Sequence, residues 1–258
     1  MVGFMILKGV SFLNEVFNKM KSNRSVAVCD ILGFSNLVKS VSLDVVVDRH
    51  LGQLRKALWH SIHKGDFPEK NPSLEEIRNE ASLGLAWFSD TILIYTFNDS
   101  DEAFRELLVC LSWLIFETML GGGTRIRCGV SYGEIYIDTE NSFYIGKPII
   151  EAYQLQQEQA WSGGALTPKA VECCPEIARS GKFVDWFLIP YDVPLKQNKA
   201  LQTLAINWTI GLHPIDFNLA WSQTSLEPSA EDWQTRPDIC EKWFNTRAFH
   251  KKVCRRCR

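Results

Sequence analysis

No run of 18 or more uncharged apolar residues occurs in the chain, so no segment reads as a membrane-spanning helix. An excess of positive charge is also missing. The 28 Lys and Arg stand against 30 Asp and Glu, for a formal net charge of −2, whereas a protein committed to a nucleic-acid backbone ordinarily carries a basic surface. Internal repeats and low-complexity tracts are lacking, which removes solenoids and tail-like linkers. A secretory leader is not legible, because Lys8, Glu15, Lys19 and Lys21 break the N-terminal apolar stretch and no small-residue cleavage site follows. Nor do the cysteines outline a disulfide framework. The eight are scattered, and several lie in strongly apolar segments where a free thiol behaves as a small core residue. Together these absences predict a reduced, cytoplasmic protein.

What the chain does contain is core. Hydrophobic residues make up 46% of 258, with nine tryptophans, enough for one sizeable core with appendages or two small domains. Leu13, Val16, Phe17 and Met20 form one apolar stripe, predicting an amphipathic helix within 1–23. The run Ser-Val-Ala-Val-Cys over 25–29 predicts a strand that ends at Asp30. Apolar positions from Leu37 to Leu58 recur at helical spacing, predicting one long helix or two short ones over 36–63. Residues 83–88 and 91–97 predict a hairpin turning at Ser89-Asp90, and 101–120 predicts a helix stopped by the glycines at 121–123. A second strand pair is expected over 125–130 and 134–137, turning at Tyr132-Gly133. A helix is expected over 146–159, and further strands over 183–188 and 201–206. This alternation fits an α/β (α+β) fold of ferredoxin-like topology, a mixed sheet with helices packed on it. The last part, 211–258, carries Trp221, Trp233 and Trp243 among polar residues and predicts a folded appendage with a basic tail.

Two carboxylates form the informative constellation. Asp30 ends a strand and is followed by Ile-Leu-Gly-Phe-Ser, while Asp90 sits at the tip of the next hairpin. A strand ending in Asp before a glycine turn into a helix places a metal-binding carboxylate beside free backbone N–H groups. Paired hard carboxylates can hold two Mg²⁺ or Mn²⁺ ions about 4 Å apart, the arrangement that promotes in-line displacement at phosphorus. Taken singly, Asp30 would cap a helix and Asp90 would fill a turn.

Four segments resemble, in order, the motifs of class III nucleotidyl cyclases: Val-Cys-Asp-Ile-Leu-Gly-Phe-Ser (28–35), Trp-Phe-Ser-Asp-Thr-Ile-Leu-Ile (87–94), Arg-Cys-Gly-Val-Ser-Tyr-Gly-Glu (127–134) and Tyr-Ile-Gly-Lys-Pro-Ile-Ile-Glu-Ala-Tyr (144–153). The resemblance spans about 25–206 and places a cyclase domain over 24–210. It implies that Asp30 and Asp90 are the catalytic pair, binding two divalent cations with the Ile31 carbonyl as a further ligand. It implies too that the turn of Leu32, Gly33, Phe34 and Ser35 holds the triphosphate. Departures from the pattern are as specific. Where purine-using members read adenine with a Lys and an Asp, this chain has Ala86 and Phe143; where an Asn and an Arg orient ribose and transition state, it has Ile150 and Gln154.

A narrower resemblance accounts for those departures. Residues 146–161, the run Pro-Tyr-Asp-Val-Pro-Leu-Lys over 190–196, and Leu-Ala-Ile-Asn-Trp over 204–208 look like the pyrimidine cyclases of the bacterial Pycsar anti-phage system. That likeness implies conversion of UTP or CTP to a cyclic monophosphate that activates an effector protein, and a homodimer with shared active sites. The rival is a silent cyclase-like module that binds a nucleotide and signals through a partner.

Other residues are weighed individually. Arg125 and Arg127 alternate with Ile126 and Cys128, so both arginines share a face; one could neutralise the α-phosphate, or both are solvent-facing strand residues. Lys196 stands where cyclases place a triphosphate-binding Lys, with an ordinary surface Lys as the alternative. Phe143 or Phe17 could stack on a pyrimidine, although Phe17 belongs to an apolar stripe. Cys254 and Cys257 have CxxC spacing without a second pair, which favours a flexible terminus over zinc. Removing Asp30 or Asp90 is expected to leave the fold largely intact, since both end strands.

Overall fold

The computed structural model describes residues 21–63, 68, 70–79, 81–121, 124–173, 184–212, 228 and 230–256. Phe17, Trp221, Cys257 and all but the last three residues of the helix expected within 1–23 lie outside them, and those three residues are strand, not helix. The first strand, β1 (Lys21–Ile31), begins earlier than the 25–29 run suggests, and its middle is buried on both faces. A continuous apolar run such as Val-Ala-Val-Cys suits a strand covered on both sides. After it come α1 (Phe34–Ser40) and α2 (Gly52–Ile62), the latter entered through a π-helical turn over Val46–Leu51. The helical stretch expected over 36–63 is therefore broken, with Val41 extended at φ −130°. The chain turns helical again at Leu43, so that Val45, Val46 and Val47 lie within helical backbone.

The hairpin β2 (Leu83–Phe88) and β3 (Thr91–Thr96) follows as expected, then α3 (Asp101–Gly121), whose Leu107, Leu108, Leu111, Leu114 and Ile115 are wholly buried. The strand pair expected over 125–137 is instead one strand, β4 (Ile126–Asp138). Every residue from Ile126 to Tyr136 has a partner on β1, so Gly133 pairs with Arg24 within the ladder and no turn forms. β5 (Phe143–Ile145) folds back on the end of β4, and α4 (Lys147–Glu158) leads to β6 (Gly163–Leu166). The strand expected over 183–188 is corrected to a helical turn, Val184–Phe187, before β7 (Leu188–Leu195). Asn207 fixes that turn by donating to the Trp186 and Phe187 carbonyls at 2.6 and 2.8 Å. β8 (Lys199–Ile206) completes the sheet.

The sheet order is β2-β3-β1-β4-β6-β8-β7, with β5 beside β4. Its first four strands run β4-β1-β3-β2 with every neighbour antiparallel, the ferredoxin-like arrangement. β6 joins β4 in parallel, and β8 and β7 extend the sheet antiparallel. The fold is thus mixed α/β, as the sequence implies.

Side-chain alternation divides the core. Ala27, Cys29, Ile31, Ile92, Ile94, Cys128 and Val130 face α2 and α3, while Val26, Val28, Leu93, Ile135 and Ile137 face α4. Cys29 and Cys128 lie opposite each other as free buried thiols, and burial raises the Cys128 thiol well above its ordinary range. The C-terminal helix α5 (Pro237–Arg256) sends Trp243, Phe249 and Val253 into the first core, where Phe249 meets Trp161 edge-on at 4.9 Å between centroids. Its helical course through Arg256 replaces the flexible terminus expected around Cys254.

α4 crosses β4 at backbone contact, because Gly129 has no side chain to hold it off. A Cβ there would lie 2.1 Å from the Ala152 carbonyl oxygen. Gly129→Ala should therefore destabilise the protein by about 1–3 kcal/mol, the usual cost of overpacking. A thermal melt within a degree of the unsubstituted protein would show that α4 can lift away at no cost.

Candidate active site

Asp30 and Asp90 come together at one end of the sheet. Asp30 is the penultimate residue of β1, paired with Thr91 on one side and Arg127 on the other. Asp90 occupies the two-residue turn between β2 and β3, where Ser89 adopts φ 56°. Such positive φ values are what a tight hairpin turn requires, and the Trp87 indole holds the turn by donating to the Ser89 carbonyl at 2.7 Å. The Ile31 amide donates to the Asp90 carbonyl at 3.0 Å, so the two aspartates sit on adjoining backbone.

The chain then leaves β1 through a turn fixed by the Leu32 amide, which donates to the Arg125 carbonyl at 2.8 Å. Gly33, at φ 82°, supplies the left-handed backbone that starts α1. The Asn36 and Leu37 amides fold back onto the Gly33 carbonyl. The Phe34 and Ser35 amides belong to the first helical turn, which leaves its N–H groups without intrahelical acceptors.

Arg127 is not the solvent-facing strand residue that alternation permits. Only 6% exposed, it donates to Asp30 Oδ2 at 2.9 Å and to the carbonyls of Gln157 and Gln159 at 3.4 and 3.1 Å. Its face of β4 is roofed by the C-terminal end of α4, where unsatisfied carbonyls and the helix dipole favour a cation. Its Nε is buried without a partner among the described residues. Asp30 is consequently no free-standing strand end, since it is the carboxylate partner of a buried guanidinium. Nearby Arg125 has its pKa lowered by burial, with Asp232 and Asp238 acting in the opposite sense.

The segment 157–162 gathers the remaining parts. The Lys196 amide donates to the Glu158 carbonyl at 2.8 Å, and the Ala160 amide donates to the Pro194 carbonyl at 2.9 Å. These bonds anchor the β7–β8 hairpin, whose turn residues Gln197 and Asn198 have φ 61° and 57°. The Lys196 side chain is exposed. From α5, Asn245 Nδ2 donates to the Ala160 carbonyl at 2.8 Å, and Thr246 Oγ1 accepts from the Ser162 amide at 2.8 Å. Nothing in the sequence flags α5 as part of this region.

Phe143 does not join this group within one chain. It pairs with Asp138, while Asp30 pairs with Arg127, eleven residues back along β4, a span of roughly 36 Å at strand rise. Phe143 is 56% exposed, Ile150 57% and Tyr153 48%, and Gln154 is exposed beside them. Ala86 on β2 packs against the α4-side core.

Among the described residues no three His, Cys, Asp or Glu side chains form a metal-binding group. A divalent cation at this end of the sheet would rest on Asp30, Asp90 and the Ile31 carbonyl. Mg²⁺ accepts so sparse a set where substrate phosphates complete its shell, so the residues fit a cation brought with a nucleotide.

No family model matches the sequence, and no curated protein matches it. Solved structures do resemble it. The catalytic core of a rhodopsin-guanylyl cyclase with converted specificity, in complex with ATPαS, aligns at 14% identity and a TM-score of 0.48, over 72% of this chain and 96% of the other. A non-canonical dimeric guanylyl cyclase domain of a RhoGC fusion protein from the aquatic fungus Blastocladiella emersonii aligns at 12% identity and 0.46, over 72% and 97%. Adenylate cyclases from Trypanosoma brucei, in their monomeric state, align at 13% identity and 0.43, over 74% and 91%.

Arg127→Ala should lower the unfolding free energy by about 3–5 kcal/mol, the cost of leaving a buried charge unpaired. Paired with Asp30→Asn in a denaturant double-mutant cycle, the two changes should be non-additive. Strictly additive values would show that the ion pair contributes nothing as a pair.

Proposed function

We propose that the protein is a nucleotidyl cyclase that converts a pyrimidine nucleoside triphosphate, UTP ahead of CTP, to the 3′,5′-cyclic monophosphate and pyrophosphate. The observation that carries this reading is the meeting of Asp30 and Asp90 at adjoining strand ends, beside the Gly33 turn and the buried Arg127. Two Mg²⁺ or Mn²⁺ ions held by Asp30, Asp90 and the Ile31 carbonyl would supply Lewis acidity at the 3′-oxygen and the phosphates. The turn of Leu32, Gly33, Phe34 and Ser35 receives phosphate oxygens. The Arg127 guanidinium, held by Asp30 and helix-end carbonyls in the resting protein, offers its donors to the phosphates, which match its fork geometry. Pyrimidine preference rests on Ala86 and Phe143: neither offers a purine a hydrogen bond, and a base edge buried without partners is disfavoured. The motifs shared with the Pycsar cyclases support a role in anti-phage defence, the cyclic product being read by an effector.

Two observations favour the silent nucleotide-binding module as the second reading. Gln154 leaves α4 without the transition-state arginine of the cyclases this sequence resembles, and Asp30 is already neutralised by Arg127. Incubation with Mn²⁺ and each of the four ribonucleoside triphosphates separates the two. Cyclic UMP or CMP is expected, and Asp90→Ala should abolish it. Faster cyclisation of ATP or GTP in direct competition would overturn the pyrimidine assignment, and no cyclic product from any nucleotide would leave the silent module.

The working form is proposed to be a head-to-tail homodimer, in which Phe143 and α4 of one chain complete the aspartate site of the other. Its support is the separation of Phe143 from Asp30 within a chain, together with the exposed apolar strip of Phe143, Ile145, Ile150 and Tyr153. Ile150→Asp should yield monomers by light scattering and lose at least about tenfold in activity, with an unchanged melt, because the side chain is outside the core. An active Ile150→Asp monomer would rule out the shared site.

A further inference from the structure

We propose that Lys242 of α5 is a further substrate-binding residue, joining Arg127 and Lys196 in gripping the outer phosphates of the triphosphate and the pyrophosphate that leaves. The inference rests on the cyclase reading and adds to it a residue outside 25–206, the span of the resemblance. Three backbone anchors converge on 157–162. Arg127 is fixed to the carbonyls of Gln157 and Gln159, Lys196 to that of Glu158, and α5 to Ala160 and Ser162 through Asn245 and Thr246. Thr246 Oγ1 also donates to the Lys242 carbonyl at 2.7 Å, so Lys242 lies one helical turn from the Ser162 anchor.

The Lys242 side chain is 23% exposed, drawn in where a surface lysine would extend into water. Its carboxylate partner among the described residues, Asp238, is 56% exposed at 3.4 Å and is shared with Arg236 at the same distance. Burial lowers the Lys242 pKa and Asp238 opposes that, but Arg127 and Lys196 lie close enough for their positive charges to lower it further. Asp30 is paired with Arg127, one carboxylate, Asp238, is shared between Lys242 and Arg236, and the Arg127 Nε has no acceptor among the described residues. A folded chain gathers uncompensated cations where an anion is to be bound, and a polyphosphate presents enough oxygens to engage them together.

Lys242→Met keeps the apolar stem and removes the charge. In the full-length protein it should weaken pyrophosphate binding in calorimetry by about tenfold or more, a charged hydrogen bond's worth. The KM for the nucleotide should rise in proportion, while the melting temperature holds. Lys242→Arg should recover most of the affinity, and Lys251→Ala, on the exposed side of α5, should change neither quantity. Pyrophosphate affinity and KM within twofold of the unsubstituted enzyme for Lys242→Met would overturn the assignment. Failure of the unsubstituted protein to cyclise any nucleotide would sink the cyclase reading instead, leaving the pyrophosphate comparison to decide Lys242 by itself.

Discussion

Arg127 is almost wholly withdrawn from water, and a guanidinium in that position persists only where opposite charge and hydrogen-bond acceptors surround it. Asp30 provides the charge, and the last carbonyls of α4 provide the acceptors. That single requirement sets the geometry at this end of the sheet. β1 must deliver its carboxylate next to β4, and α4 must run its C-terminal end over the same spot, which it can do because Gly129 lets it lie on the strand backbone. Once α4 is placed, 157–162 is placed, and the β7–β8 hairpin and α5 hang from it.

How legible this was depended on the range of the cause. Ser89-Asp90 between two strand-like runs encodes its own turn, so the β2–β3 hairpin and the position of Asp90 follow from neighbours in sequence. Asp30 at the end of an apolar run is equally local. Tyr132-Gly133 imitates a turn just as well, yet β1 offers a partner to every residue around it, and the longer ladder prevails. Alternation places Arg125 and Arg127 on one face but cannot say what covers that face. The cover is a helix end thirty residues onward, and the short turn Val184–Phe187 likewise depends on Asn207. Lys242 carries no local signature whatever, and its position comes from contacts that α5 makes across the fold.

The two sheet faces have different fates. The side bearing α2, α3 and α5 is a closed core, dense in leucine, isoleucine and tryptophan. Among the described residues the other side packs against α4, and Phe143, Ile145, Ile150 and Tyr153, on β5 and α4, are exposed. Several large apolar side chains left exposed on neighbouring elements mark a contact surface more often than an oversight of folding.

Because α4, the β7–β8 hairpin, α5 and the Arg127 side chain all bond to one stretch of six residues, 157–162, none of them is free to flap independently. A local opening there would break several hydrogen bonds at once, which moves it from the fast fluctuations of surface loops toward slow, cooperative ones. Amide protons of 158, 160 and 162 should therefore exchange with solvent together and late. By contrast α1, which buries no residue of its own, has the few buried contacts that go with low local stability.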